Sequence, residues 1–343
     1  MCFRLNLTKE YAHFATDKLC SSIFCMRDFQ FLQNPITKKW IVLAPRRAKR
    51  PDVAKGAEPI CPFCLGREKN EKETYRVGGK EGDSNWKIRV IPNKYPFAPI
   101  HEVIIHSPDH NKNFDQLPLY QVELIIKTYR QRFLTHQEKG QVIIFHNRGE
   151  GGGESLPHPH TQLAVIPTNI KMDIARLSAT ASLNFGPQPI SWSTSTTNTE
   201  SSEVGKLEHQ STVLTSHFYL FCPKSSQWPD EVWIAPKKRG RAFSEITDGE
   251  VADLAYAISR LVEIFNLRHG HEFPFNFYIY PGGDWYLRLI PRVKVLGGFE
   301  LGTGIYVNTQ DPNETINFIK EHFGTPNHDK IRTHHQAEYE RRV

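Results

Sequence analysis

The stretch "EVIIHSPDHNKNFDQLPLYQVELIIKTYRQRFL", Glu102 to Leu134, is followed by "QVIIFHNRG" from Gln141 and "HPHTQLAVIP" from His158. A second stretch repeats its order of features. It reads "EVWIAPKKRGRAFSEITDGEVADLAYAISRLVEIFNLR" from Glu231, then "FNFYIYPGG" from Phe275 and "DWYLRLIP" from Asp284. Each copy runs strand, Pro-containing turn, Phe-marked loop, amphipathic helix, strand, Gly turn, strand. In the second helix Leu254, Ile258, Leu261 and Phe265 recur at three-to-four spacing, and β-branched and aromatic residues mark the strands. A unit of about 65 residues used twice predicts an α+β fold of duplicated modules, with antiparallel sheets and packed helices.

The organisation is read outward from that repeat. Residues 1–27 show no clear period and are set apart as an N-terminal extension. Residues 28–190 form the first module, which opens on "KKWIVLAP", a strand ending at Pro45. The Ser/Thr-rich run 191–216 reads as a linker, and residues 217–343 form the second module. The chain has 343 residues and a net charge of +6. That excess suits a protein handling phosphorylated ligands, but the basic residues are scattered and not interleaved with aromatics, so nucleic acid is not expected as a partner. No apolar run approaches a membrane span, and the N-terminus lacks the apolar core of a secretory signal. Six cysteines in a chain this long make no disulfide scaffold. A reducing cytoplasmic location is expected.

The chemistry concentrates in the first copy. "CPFC" offers the thiols of Cys61 and Cys64 from a tight turn stiffened by Pro62. With His110 of "SPDH" and His158 they make a candidate zinc site, and four protein ligands would make it structural. The alternative is a pair of buried free thiols. Along a strand, His158, His160 and Gln162 share one face. If His158 binds metal, His160 is free to attack phosphorus as a neutral imidazole, with the Gln162 amide donating to a phosphoryl oxygen. Gly151 to Gly153 are expected to bring backbone N–H groups to phosphate, Ser155 and Asn147 to add neutral donors, and Arg47, Arg50 and Arg288 to neutralise charge. In the bland alternative both histidines are metal ligands, or the glycines are only a turn. Aligning the "IP" ends of the two copies sets Gly282, Asp284 and Tyr286 where the first has His158, His160 and Gln162. The fold itself therefore does not require the histidines. The remaining histidines, His101, His106 and His146 among them, read as structural or surface residues.

Together "CPFC", "RAKRPD", "SPDH", "FHNRG", "SLPHPHTQ" and "GGFELGTGIYVN" resemble the galactose-1-phosphate uridylyltransferase family of the histidine-triad superfamily, from about Phe31 to about Phe323. The resemblance implies a double displacement. His160 would attack the α-phosphorus of a nucleotide sugar, release sugar 1-phosphate, and pass the nucleotidyl group to a second phosphate. It also implies that the backbone carbonyl of His158 orients His160, and that one zinc ion is held by Cys61, Cys64, His110 and His158. Its ligand-contacting positions fall on Arg47, Arg50, Asn93, Asn147, Ser155, Gln162, Phe299 and Glu300. The last two would reach the active site of a neighbouring subunit, which implies a homodimer.

Three departures stand out. Thr161 takes the place where many members carry Gly or Ser. The second metal site of some members would fall on Arg239, Asp284 and Arg288, so it is expected to be absent. "RPDVAKG", Arg50 to Gly56, replaces a longer loop of the best-known uridylyltransferases. The leading expectation is UMP transfer between UDP-glucose and galactose 1-phosphate. The alternatives are an adenylyl-transferring phosphorylase acting on ADP-glucose and a non-catalytic zinc-stabilised nucleotide-binding protein.

Overall fold

Every second side chain of "QVIIFHNR" is buried between Gln141 and Arg148, the alternation of a strand whose two faces meet different surroundings. The computed structural model describes residues 28–50, 61–177, 212–270 and 272–324. The extension 1–27, most of the "RPDVAKG" loop and most of the Ser/Thr-rich run lie outside the described residues.

Ten strands form one antiparallel sheet: β3 (Tyr75–Val77), β4 (Ile88–Pro92), β5 (Ile100–Ile105), β6 (Gln141–Arg148), β7 (His160–Ile166), β8 (Thr212–Leu214), β9 (Phe218–Phe221), β10 (Val232–Pro236), β11 (Phe275–Ile279) and β12 (Leu287–Pro291). A separate hairpin joins β1 (Gln30–Gln33) to β2 (Trp40–Leu43). The order in the sheet is β3-β4-β5-β7-β6-β11-β12-β10-β9-β8. It reads alike from both ends when β3 to β7 are exchanged for β8 to β12. The repeat therefore builds a continuous sheet, and its seam is the antiparallel pair β6–β11, with Phe145 opposite Tyr278 and Asn147 opposite Asn276.

Two corrections follow. Thr212 to Leu214, expected as linker, are the edge strand β8, because Val213 packs into the core and the Thr-Val-Leu run favours extended backbone. The strand that carries the histidines also starts later than expected. β7 begins at His160, so His158, expected on one strand face with His160 and Gln162, precedes the strand, next to Pro159, which has no N–H to give the ladder.

Helices α1 (Leu119–His136) and α2 (Asp248–His269) cover one face of the sheet. Leu254, Ile258, Leu261 and Phe265 face that core, as their spacing predicts, together with Val122, Ile125, Ile126 and Phe133 of α1. Thr247 starts α2 with a capping box. Its hydroxyl accepts the Glu250 N–H while the Glu250 carboxylate accepts the Thr247 N–H. The short α3 (Gly298–Thr303) and α4 (Pro312–Phe323) close the described chain. None of the described helices is long and apolar enough to cross a membrane. The sheet face away from α1 and α2 carries Phe63, Trp86, Ile91, Val103 and Ile105 in one half and Phe221, Trp233, Ala235 and Tyr286 in the other.

Candidate active site and metal centre

β7 emerges beside the turn that holds Cys61 and Cys64. The ligand atoms of Cys61, Cys64, His110 and His158 all lie within 4.8 Å of one another. His110 Nδ1 is 3.1 Å from Cys64 Sγ, and His158 Nδ1 is 3.6 Å from Cys61 Sγ and 3.7 Å from Cys64 Sγ. A tetrahedral ion with metal–sulfur and metal–nitrogen bonds of about 2.3 and 2.1 Å has ligand–ligand edges of roughly 3.3–3.8 Å. The donor set therefore fits a metal ion with little movement. His158 Nε2 donates to the Ser107 carbonyl at 2.9 Å, which fixes its tautomer and turns Nδ1 toward the thiols. Four protein ligands fill a tetrahedron and leave no position for an activated water.

His160 Nδ1 donates to the carbonyl of His158 at 2.8 Å. That bond leaves Nε2 as an unprotonated nitrogen without a protein partner among the described residues. Burial, with Arg50 and Arg148 nearby, pushes His160 down to about 4 despite the bond to His158. The ring is thus neutral at physiological pH and nucleophilic. Phe63 holds its edge against it at a centroid distance of 5.3 Å. The two histidines part company: His158 faces the thiols, and His160 lines a cavity of about 230 Å³.

That cavity is also lined by Arg50, Asn93, Ser155 and Gln162, with Phe63, Ile91 and Val103 as an apolar wall. Arg47 is not among the lining residues. Its guanidinium donates to the Tyr95 carbonyl at 2.6 Å and sits 5.0 Å from the Phe97 ring, and burial, with Arg50 beside it, pulls its pKa to about 10. The geometry suits a phosphorylated ligand: a neutral nucleophile, neutral donors, and arginine at the rim.

Other expectations fare differently. Asn147 lies on the same sheet face, but its Oδ1 accepts from Asn276 Nδ2 at 2.9 Å across the seam. Arg288 is not brought to the cavity. It makes paired 2.8 Å bonds to both Glu231 oxygens and lies over Trp233. Its charge is spent there because Glu231 opens the neighbouring strand. The glycines serve packing more than anion binding. The N–H groups of Gly152 and Gly153 donate to Gly149 and Glu150, and a Cβ on Gly152 would come within 2.9 Å of the Phe275 carbonyl. Gly151 and Gly152 are small because the loop runs against Pro274 and Phe275, whereas Gly153 has open space around it and a φ of 76° that favours glycine. Phe299 is solvent-exposed, while Glu300 pairs with Lys294 and caps the start of α3. Arg239 and Asp284 form an ion pair.

Sequence reasoning passed over three histidines. His101 is buried and bonds to Gln162 at 2.9 Å. The alternation of "IHEVII" sets it on the site face with Val103, a signal present in the sequence. His106 and His146 are buried on the opposite face of β7, where they and Tyr129 hydrogen-bond the Thr161 hydroxyl.

Comparisons with known proteins agree with this geometry. Residues 99–165 match the model for galactose-1-phosphate uridyl transferase, N-terminal domain. The chain is 26% identical over 341 residues to ADP-glucose phosphorylase of Arabidopsis thaliana, covering 84% of this chain and 92% of that one. It is 25% identical over 318 residues to galactose-1-phosphate uridylyltransferase of Thermotoga maritima, covering 84% and 96%. In fold it is similar to the crystal structure of the Arabidopsis ADP-glucose phosphorylase with bound ADP-glucose, at a TM-score of 0.60 and 24% identity over 86% of this chain and 99% of that one. A uridylyltransferase structure matches at a TM-score of 0.64 and 22% identity over 85% and 98%. Over 84% of its length the chain is thus similar both to an ADP-glucose phosphorylase and to a galactose-1-phosphate uridylyltransferase.

Proposed function

We propose that the chain is a nucleotidyltransferase that works through a covalent nucleotidyl-His160 intermediate. The observation that carries this reading is the 2.8 Å bond from His160 Nδ1 to the His158 carbonyl, which frees Nε2 toward the cavity. The Nε2 lone pair attacks the α-phosphorus of a nucleotide sugar, and the phosphorus–oxygen bond to the sugar 1-phosphate breaks, its electrons leaving with that group. The ring is then an imidazolium whose charge the His158 carbonyl supports through the Nδ1 proton. An acceptor phosphate oxygen next attacks phosphorus, the phosphorus–nitrogen bond breaks, and the lone pair returns to Nε2. Gln162 and Ser155 offer neutral donors to the phosphoryl oxygens, and Arg47 and Arg50 offset phosphate charge.

Zinc suits the two-sulfur, two-nitrogen set. Its part is structural: it would hold His158, and through the His158 carbonyl the ring of His160.

Uridylyl transfer from UDP-glucose to a hexose 1-phosphate is the leading form of this reaction. A second form, adenylyl transfer from ADP-glucose to phosphate, is favoured by the likeness to ADP-glucose phosphorylase across 92% of that protein. Mass spectrometry after separate incubation with the two nucleotide sugars tests both. A uridylyl mass on His160 supports the first and an adenylyl mass the second. No adduct with either would sink the reading.

A homodimer belongs to the same reading. Val295, Phe299, Leu301 and Ile305 stand 54–88% exposed around α3, an apolar surface that a second copy would cover. Light scattering of the purified chain checks it. A cytoplasmic setting would keep Cys61 and Cys64 reduced for the metal.

A further inference from the structure

The amide of Gln162 can serve a phosphoryl group in only one of its two orientations. Turned one way it presents N–H donors, and turned the other way it presents an oxygen that repels phosphate. The hydrogen-bond chain around it settles the orientation, because both ends of that chain are backbone N–H groups, which can only donate.

At the first end the Tyr95 N–H donates to Asn93 Oδ1 at 2.9 Å. The other atom of that amide is therefore Nδ2, a donor, and it lies 3.3 Å from the Gln162 amide. The Gln162 atom facing it must be the oxygen, Oε1. The same Oε1 lies 2.9 Å from His101 Nε2, which must then carry a proton and donate. A neutral imidazole has one N–H, so His101 Nδ1 is bare. It meets the second end of the chain, accepting the Phe97 N–H at 3.4 Å. Asn93 Nδ2 also lies 3.3 Å from His101 Nε2, where two donors make no bond with each other, and both reach Oε1 instead. The result is one arrangement: Oε1 of Gln162 receives two donors, and its NH2 group is left for the cavity shared with His160.

We infer that His101 is a positioning residue for nucleotidyl transfer, whose Nε2–H locks the Gln162 amide with its NH2 toward the transferring phosphoryl group. The inference rests on the nucleotidyl-transfer reading above. His101 is well suited to the task. Burial, with the Arg47 and Arg50 charges adding to it, pushes its pKa down to about 3, although the bond to Gln162 works the other way. The ring thus keeps one proton throughout the working pH range. Phe97 packs against it with the rings tilted by 57° and their centroids 4.2 Å apart, which limits its rotation. Asn93 supplies the second donor, so part of its effect passes through Gln162 and not through direct contact with ligand.

The test compares the full chain with His101→Phe and His101→Gln. Phenylalanine keeps a ring against Phe97 but has no N–H, whereas the glutamine amide can put an N–H close to where Nε2 stands. The measurement is the quenched-flow rate of adduct formation on His160 with UDP-glucose and with ADP-glucose. Metal content, melting temperature and the Kd for each nucleotide sugar are measured alongside. We expect His101→Phe to slow adduct formation about 10- to 100-fold. Its metal content should be full and its nucleotide-sugar Kd within about threefold of the unchanged chain, since one ground-state donor contributes little to binding. His101→Gln should recover most of the rate.

An unchanged rate in His101→Phe overturns the inference while leaving the function reading intact. Equal slowing in both variants also overturns it, since the N–H would then not be the active feature. If His101→Phe lacks a cooperative melt, Asn93→Asp tests the chain from its other end. It keeps an acceptor for Tyr95 but sets a carboxylate oxygen against Oε1, and it should slow adduct formation. No slowing there overturns the inference. An absence of adduct in the unchanged chain sinks the function reading, and this inference with it.

Discussion

The half of the sheet that ends in β7 and the half that ends in β12 share a frame and differ in what fills one face. Each copy carries a buried acid tied to an arginine and a histidine at the end of its helix: Glu102 with Arg132 and His136, and Asp230 with Arg268 and His269. On the site face of the second half, Tyr286 stacks between Trp233 at 4.4 Å and Tyr280 at 5.2 Å, and Arg288 is spent on Glu231. On the first half, Asn93, Ser155, His160 and Gln162, smaller than those stacked rings, line a cavity together with Phe63 and Arg50. Duplicating the frame copies the fold, and the site depends on keeping one face unfilled.

The sharpest way to break that comparison is at one residue on that sheet face in each half. His160→Gly should abolish adduct and turnover, a loss of about 10³-fold or more, with metal retained. Tyr286→Phe should stay within about twofold in the same assays, and a comparable loss there would mean that both halves do chemistry.

The triads test whether the frame is equally shared. Glu102→Gln and Asp230→Asn each strand a buried arginine, and denaturant melts should report losses of about 3–5 kcal/mol for either. A loss confined to one half would show that the two triads are not equivalent. Acid gives a second view. Burial pushes both carboxyls up, but hydrogen bonds from His136 and Arg132 to Glu102, and from His269 with the Arg268 charge at Asp230, outweigh it and hold each at about 2. Since ordinary values are about 4, the stabilisation is complete above about pH 4 and drains away as pH falls toward 2. Either variant should show a shallower loss of stability across that window.

Cys64→Ser asks how far the metal centre sets the first half apart. Metal content should fall, and adduct formation should drop about 10- to 100-fold because the His158 carbonyl is less firmly placed. Full activity without metal would separate the two sites. The mildest test is Thr161→Val, which removes the hydroxyl shared by Tyr129, His106 and His146 behind β7. A stability loss of about 1–3 kcal/mol is expected by calorimetry, with a smaller effect on rate.

Much of this was legible in the sequence because local spacing carries it. Two cysteines three apart sit on one turn, and alternation in β7 sets His160 and Gln162 on one face, whereas His158 precedes the strand and turns to the thiols. Helix α2 announced itself by Leu254, Ile258, Leu261 and Phe265. What stayed hidden depends on partners far along the chain. Arg288 looks free until Glu231, 57 residues away, is found beside it. The glycines look like an anion loop until β11 passes within contact. His101 acquires meaning only when register brings β5 against β7, with Val103 opposite Gln162. β8 was lost in a polar run because three residues are too few to show a period.

The seam has a practical consequence for anyone wishing to simplify the molecule. β6 is flanked by β7 on one side and β11 on the other, and Asn276 ties down both Asn147 and the Gly152 carbonyl. A fragment cut between β7 and β8 would keep all four metal ligands and His160, yet bare one long margin of β6, with its N–H and C=O groups seeking a new strand. Such a half-molecule would be adhesive along that margin, so β11 of the second copy also serves to cover an edge of the first.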